Sequence, residues 1–201
     1  MVSRIYLLRH GEIKNANEKR YIGITDVDLS LNGIKQVEKL RDKFMDEHID
    51  YVFSSNLKRS IKTAETIAKP KNKPVNIIKD FREINMGIWE NQIIDQVKIK
   101  YKMEYEKRGK DFLNYKTPKG ESFLECKQRA IKALDFINSE YNGNIIIVGH
   151  AGINRLIISS ILDIRIQDMF KIKQDYGCYN IIDCYKNRYM IKEKDVNINL
   201  I

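Results

Sequence analysis

The chain has three histidines, His10, His48 and His150. Two of them follow directly on strongly apolar runs: Ile5-Tyr6-Leu7-Leu8 leads into Arg9-His10-Gly11, and Ile145-Ile146-Ile147-Val148 leads into Gly149-His150. A neutral imidazole with one ring nitrogen held by a hydrogen bond can attack with the other. The preceding Arg9 brings a planar cation whose forked donors match the oxygens of a phosphoryl group. Gly11 lets the backbone approach both the ring and an incoming anion. A histidine that accepts phosphate is the chemistry these residue types suggest. His48 lies in Asp46-Glu47-His48, near the end of an amphipathic pattern, and reads as a surface residue.

Two further side chains fit the same chemistry. Arg59 stands one turn into a helical pattern that follows Ser54-Ser55, and is a second clamp for phosphate oxygens; the alternative is a helix-surface ion pair with Glu65 or Asp80. A leaving alcohol needs a proton. Glu83, in the segment Phe81-Arg82-Glu83-Ile84, has apolar neighbours (Phe81, Ile84, Trp89) that would favour its protonated form; the alternative is a loop carboxylate paired with Arg82.

These residues must be carried by elements that converge on one edge. Residues 2–8 read as a buried strand. Ser30 reads as an N-cap, with Ile34, Val37, Leu40 and Phe44 at helical spacing behind it. Tyr51-Val52-Phe53 is a short strand, and Asn56 is placed to cap a helix with Ile61, Ala64, Ile67 and Ala68 on one face. Val75–Ile78 is a third strand. Residues 85–120 are polar and rich in lysine and tyrosine, and read as short helices capping the site. Glu121 or Ser122 opens a long helix with Phe123, Cys126, Ala130, Leu134, Ile137 and Tyr141 on its apolar face. Asn144–Val148 is the next strand, a helix follows from about Ile153, and two late strands meet across Lys186-Asn187 as a hairpin. Alternating strands and helices predict a three-layer α/β/α sandwich with a mainly parallel central sheet and a late antiparallel hairpin, in one domain spanning residues 1–201. Ligands of such sheets bind beyond the carboxyl ends of the strands, where His10 and His150 would meet.

Composition narrows the partners. The net charge is +9, from 36 Lys and Arg against 27 Asp and Glu. The basic residues are interleaved with acids and form no run of five or six, so they read as a solvated, mildly basic surface and not a nucleic-acid interface. No apolar stretch approaches the ~18 residues of a membrane span, no secretory leader pattern opens the chain, and a cytoplasmic location is expected. Three cysteines without a Cys-x-x-Cys pair read as small buried hydrophobes. No Walker loop and no Gly-x-Gly-x-x-Gly is present, which argues against nucleotide cofactors.

The motifs taken together resemble the histidine phosphatase superfamily, which includes cofactor-dependent phosphoglycerate mutase. Leu8-Arg9-His10-Gly11-Glu12, Arg20-Tyr21-Ile22-Gly23, Ser54-Ser55 with Arg59, Thr63 and Ala64, Arg82-Glu83 with Trp89-Glu90, Gly120-Glu121-Ser122, and Gly149-His150-Ala151-Gly152 occur in the family's order. The stretch Lys173–Asp183 is similar to one in α-ribazole phosphatases, which would place the chain in cobalamin biosynthesis. The resemblance implies a phosphoglycerate mutase-like fold and a metal- and cofactor-free reaction on a small phosphorylated substrate. It implies His10 as nucleophile, Glu83 as acid and base, and Arg9, Arg59 and His150 as phosphate clamps. It implies that backbone N–H groups near Ala151 add to the clamp. The family pattern has threonine or serine where this chain has Ile13, and asparagine where it has Ala16; Asn15 and Asn17 flank that gap.

Two other readings share these motifs. A mutase would use the same residues; family mutases are longer after the acid-base motif, and 201 residues favour a phosphatase. A non-catalytic anion- or nucleic-acid-binding module is the alternative from another class, and lacks the aromatic interleaving of a single-strand binder. Trp89, Tyr101, Tyr105 and Tyr115 in the capping segment are candidates to stack on a flat substrate moiety, or else they pack the segment onto the core.

Overall fold

The computed structural model describes residues 3–185 and 188–198. Its framework is one six-stranded sheet of order β3-β2-β4-β1-β5-β6, formed by β1 (Ser3–Arg9), β2 (Tyr51–Ser54), β3 (Val75–Ile77), β4 (Asn144–Gly149), β5 (Tyr179–Tyr185) and β6 (Arg188–Val196). The first four are parallel to one another, and β5 and β6 join antiparallel. This is the expected mainly parallel sheet with a late hairpin. The expected hairpin connection, Lys186-Asn187, lies outside the described residues.

Period-two alternation in the central strands creates the three layers. Ile5 and Leu7 of β1 and Ile145 and Ile147 of β4 face one side. There they meet α5 (Phe123–Glu140) and α6 (Ala151–Ile161) through Leu134, Ile137, Ile153 and Ile157. Tyr6, Leu8, Ile146 and Val148 face the other side. Their partners are Leu40 and Phe44, in and just beyond α1 (Leu31–Lys43), and Ala64 and Ile67 of α2 (Lys58–Ala68). Strands buried on both faces have to be apolar throughout, which is why β1 and β4 read as unbroken hydrophobic runs.

Local chemistry sets the helix starts. The Ser30 hydroxyl accepts from Gly33 N–H at the head of α1, as expected. At α5 Ser122 forms a full capping box with Glu125, which settles the choice between Glu121 and Ser122. The expected cap from Asn56 does not form: Leu57 holds the N-cap position of α2, and the Lys58 N–H is taken by Asp26 from a distant loop. The helix after β4 starts at Ala151, two residues earlier than expected. Segment 85–120 contains the short helices α3 (Ile94–Lys100) and α4 (Lys102–Lys110). No helix of the described residues is long and apolar enough to cross a membrane. The three cysteines are free and buried, and burial pushes the Cys178 thiol up to about 12.

The capping box at α5 satisfies two backbone donors at once. Ser122→Ala should therefore cost about 1 kcal/mol of stability. That corresponds to a melting point lower by ~2–4 °C for a domain of this size, readable by thermal unfolding; an unchanged melting point would contradict the role given to the cap.

Candidate active site

The adjacency of β1 and β4 brings the two histidines together. Arg9 is in register with Gly149, and the His10 N–H bonds to the Gly149 carbonyl. Each strand ends there, so His10 and His150 emerge side by side with ring centroids 5.0 Å apart. Gly11 lies against α1, where a Cβ would come within 2.6 Å of the Gly33 carbonyl. Its N–H bonds to Thr63 of α2, which ties the turn down.

Arg59 is the third member of the cluster. It is 1% exposed, and no ion pair with Glu65 or Asp80 forms. Its Nε–H is shared between His10 Nε2 at 3.2 Å and His150 Nδ1 at 3.3 Å. Nη1 donates to the Thr25 carbonyl and Nη2 to the Gly23 carbonyl, so a loop far from α2 in sequence fixes the guanidinium plane. A donor shared by two ring nitrogens assigns both tautomers. His10 has its proton on Nδ1, which donates to the Gly11 carbonyl at 2.7 Å, and Nε2 is left with a lone pair. His150 has its proton on Nε2, which faces the Ser55 hydroxyl at 2.7 Å.

The electrostatics agree. His10 is held well below its ordinary pKa, first by burial and then by Arg59 and Arg9; the Gly11 carbonyl works against this. His150 is lowered as well, by burial, then Arg59, then His10. Burial also lowers Arg59, which remains a cation.

Arg9 bonds the Gln174 carbonyl and lies 3.6 Å above the centroid of the Tyr176 ring, which itself is 5.7 Å from His10. Glu83 does not pair with Arg82, whose partner is Asp80. Its carboxylate accepts from the N–H groups of Gly152 at 2.8 Å, Ile153 at 3.1 Å and its own neighbour Ile84 at 3.0 Å. The expected apolar surroundings are thus replaced by the head of α6, where the helix dipole attracts an anion. A side chain at position 152 would put its Cβ 2.5 Å from Glu83 Oε1, so Gly152 makes room for the carboxylate. Arg129 of α5 holds the same segment by its backbone, bonding the carbonyls of Asp80, Arg82 and Glu83 while paired with Glu121 at 2.7 Å.

Arg9, His10, Arg59 and Glu83 share a cavity of about 450 Å³. His150 is fully buried behind Arg59. Among residues of the first turn of α6, Ala151 reaches the cavity wall, while the N–H groups of Gly152 and Ile153 are taken by Glu83. The outer wall comes mostly from residues 13–20, including Ile13, Asn15 and Ala16; Asn15 takes a left-handed conformation (φ 59°) that asparagine tolerates. From segment 85–120 only Asn91 and Ile94 contribute to the wall. Trp89, Tyr101, Tyr105 and Tyr115 are not part of it. Trp89 is fully buried, with Tyr21, Tyr105 and Tyr115 packed around it, so of the two readings of this cluster the one that packs the segment onto the core holds. His48 is at the surface beside Asp50, as expected. Among the described residues no group of three or more His, Cys, Asp or Glu side chains is placed to hold a metal ion.

The profile of the histidine phosphatase superfamily (branch 1) matches residues 5–197. The chain belongs to this superfamily. Phosphoserine phosphatase 1 of Hydrogenobacter thermophilus is 28% identical over 200 residues, 98% of this chain and 94% of that protein. The adenosylcobalamin/alpha-ribazole phosphatase of Escherichia coli is 26% identical over 181 residues, 90% of this chain and 89% of that one. The crystal structure of the alpha-ribazole phosphatase from Shigella flexneri superposes with a TM-score of 0.88 at 26% identity, covering 96% of both chains. A phosphoglycerate mutase-like α/β/α fold with the two histidines at its strand ends is thus a histidine phosphatase fold in both sequence and shape.

Sequence reasoning missed Tyr176, the Gly23 and Thr25 carbonyls and Ser55 as parts of this site. Backbone acceptors carry no signature in a sequence, whereas Tyr176 lies in the late stretch Lys173–Asp183 that carried the likeness to α-ribazole phosphatases.

The two buried neutral histidines make stability depend on pH with a definite sign. In the unfolded chain both take up protons near pH 6.5; in the folded chain both resist until well below it. The unfolded state then binds more protons, and stability falls as pH drops through about 6.5, by at most ~1.4 kcal/mol per pH unit for each histidine. Urea unfolding at pH 7.5, 6.5 and 5.5 should show this loss, and His150→Gln should reduce the slope. A wild-type stability that is flat across this range would contradict the neutral assignment.

Proposed function

We propose that the chain is a metal-independent phosphomonoesterase of the cytoplasm that hydrolyses a small phosphorylated metabolite through a phosphohistidine at His10. The observation that carries this reading is the ring orientation of His10: Nδ1–H is anchored on Gly11 and the Nε2 lone pair is aimed at the cluster of Arg59 and His150. In the first step Nε2 attacks phosphorus, the P–N bond forms, the P–O bond to the leaving group breaks, and Glu83, protonated from solvent once the negative charge of the phosphate lies beside it, gives that proton to the leaving oxygen. In the second step Glu83 as carboxylate takes a proton from water. The water oxygen bonds to phosphorus, the P–N bond breaks and inorganic phosphate departs. Arg9 and Arg59 hold the equatorial oxygens, and phosphate oxygens replace the contact that Arg59 makes with His10; His150, expected as a third clamp, instead stands behind Arg59 with its one N–H on the Ser55 hydroxyl.

The expected sizes are consistent with these roles. A positioned acid contributes about 10²–10⁴ in rate. One preorganised donor to developing charge contributes on the order of 10²–10³.

The charge of the cavity wall bears on substrate choice. The wall carries Arg9, Lys14, Lys19, Arg20 and Arg59 against Glu18 and Glu83, and its aromatic residue, Tyr176, is covered by Arg9. With one face of Tyr176 occupied by the Arg9 guanidinium, the charged wall supports a small polar ester such as phosphoserine over the flat ring system of α-ribazole 5′-phosphate. Both names come from relatives, and both belong in the substrate panel, beside 3-phosphoglycerate for the mutase alternative.

The test is phosphate release from an aryl phosphate in EDTA, comparing wild type with His10→Ala. Wild type should stay active and His10→Ala should lose at least about 10³-fold. Activity restored only by Mg²⁺ or Zn²⁺, or an active His10→Ala, would overturn the reading. Transfer between phosphoglycerates with little free phosphate would point to the mutase.

A further inference from the structure

The loop that bonds Arg59 is itself bonded to a carboxylate that does not line the cavity. Glu90 follows Trp89 at the end of a short 3₁₀ turn, Gly87–Trp89. Its Oε2 accepts from the N–H groups of Gly23 at 3.2 Å and Thr25 at 3.0 Å and from the Thr25 hydroxyl. Its Oε1 accepts from the N–H groups of Ile24 at 2.9 Å and Met86 at 2.8 Å. Three consecutive N–H groups of one loop therefore converge on a single carboxylate. The carbonyls of Gly23 and Thr25 are the same two that hold Nη2 and Nη1 of Arg59.

The loop acts as an electrostatic relay. Its N–H groups face an anion and two of its carbonyls face a buried cation, so each charge orients the dipoles that the other needs. The close packing is built into the sequence, because a Cβ on Gly23 would fall 2.3 Å from Glu90 Oε1 and 2.0 Å from the Ile84 carbonyl. Carbonyls fixed on both sides of a guanidinium determine its plane and therefore where its remaining N–H groups point. The side chains of the loop itself have other tasks: Ile24 is apolar, the Thr25 hydroxyl donates to Glu90, and Asp26 accepts from the Lys58 N–H.

We infer that Glu90 is a positioning residue of the active site, which sets the orientation of the Arg59 guanidinium toward phosphate by clasping the backbone of residues 23–25. The inference rests on the phosphatase reading for its catalytic consequence, and on the geometry alone for its effect on anion binding.

The test is a double-mutant cycle between Glu90→Gln and Arg59→Lys, with two readouts: kcat and KM for an aryl phosphate, and Kd for inorganic phosphate by calorimetry. In the wild-type background Glu90→Gln should lower kcat/KM by about 10–100-fold, with most of the loss in kcat, and weaken phosphate binding. In the Arg59→Lys background, where the fork that the two carbonyls hold is gone, the same change should cost less than about 2-fold. Equal losses in both backgrounds would show a merely structural role and overturn the inference, as would a fully active Glu90→Gln. If Glu90→Gln does not fold, Thr25→Ala removes one donor to Glu90 without removing its charge, and the same coupling criterion applies. A wild type that binds phosphate but releases none from any ester would overturn the phosphatase reading while the phosphate Kd values still decide the role of Glu90.

Discussion

The site is organised by one shared hydrogen bond. The Nε–H of Arg59 lies between His10 Nε2 and His150 Nδ1, and a donor placed there is compatible only with two rings that are unprotonated on the facing atoms. Burial of all three side chains makes the arrangement self-consistent. A second positive charge in this space would be repelled by Arg59 and Arg9 and would lack solvent, so both imidazoles stay neutral. A cation beside two neutral bases is an unusual thing to bury. It is tolerable because every polar edge of Arg59 has a partner, and because the cavity admits an anion on the open side.

The fold supplies what that bond requires. Parallel pairing of β1 with β4 fixes the spacing of the histidines to that of neighbouring strands. The head of α2 brings Arg59 in from the opposite layer to the helix that seats Glu83. Glu83 in turn is held at the head of α6 by two N–H groups of that helix and by Arg129 behind its backbone. Thus the proposed acid and the proposed clamp belong to different layers and meet only at the carboxyl edge of the sheet. This separation lets each be held rigidly by its own packing while both face one cavity.

Much of this was legible from residue types alone. His10 and His150 follow uninterrupted apolar runs, and a charged or polar residue at the end of such a run has to emerge at a sheet edge. The architecture and the late hairpin followed from periodicity, whereas the start of α5 stayed open between Glu121 and Ser122 until the capping box with Glu125 fixed it. What could not be read depended on contacts between distant segments. Asn56 has a good capping side chain, yet Asp26 reaches the helix head first. The neighbours of Glu83 in sequence are apolar, yet its carboxylate points away from them to a helix end seventy residues later. Trp89 and the tyrosines near it look suited to bind a ring, but burying so much aromatic surface against Tyr21 and the core outweighs exposing it to a cavity.

The most direct test of the account is the protonation of the two rings, observed by ¹⁵N NMR of protein labelled at histidine. The account predicts that at pH 6.5 both imidazoles are neutral and in opposite tautomers, His10 protonated on Nδ1 with a bare Nε2, and His150 protonated on Nε2. His48, exposed at the surface, provides the internal comparison. An imidazolium at either buried position at that pH, or a proton on Nε2 of His10, would contradict the shared hydrogen bond and with it the proposed nucleophile.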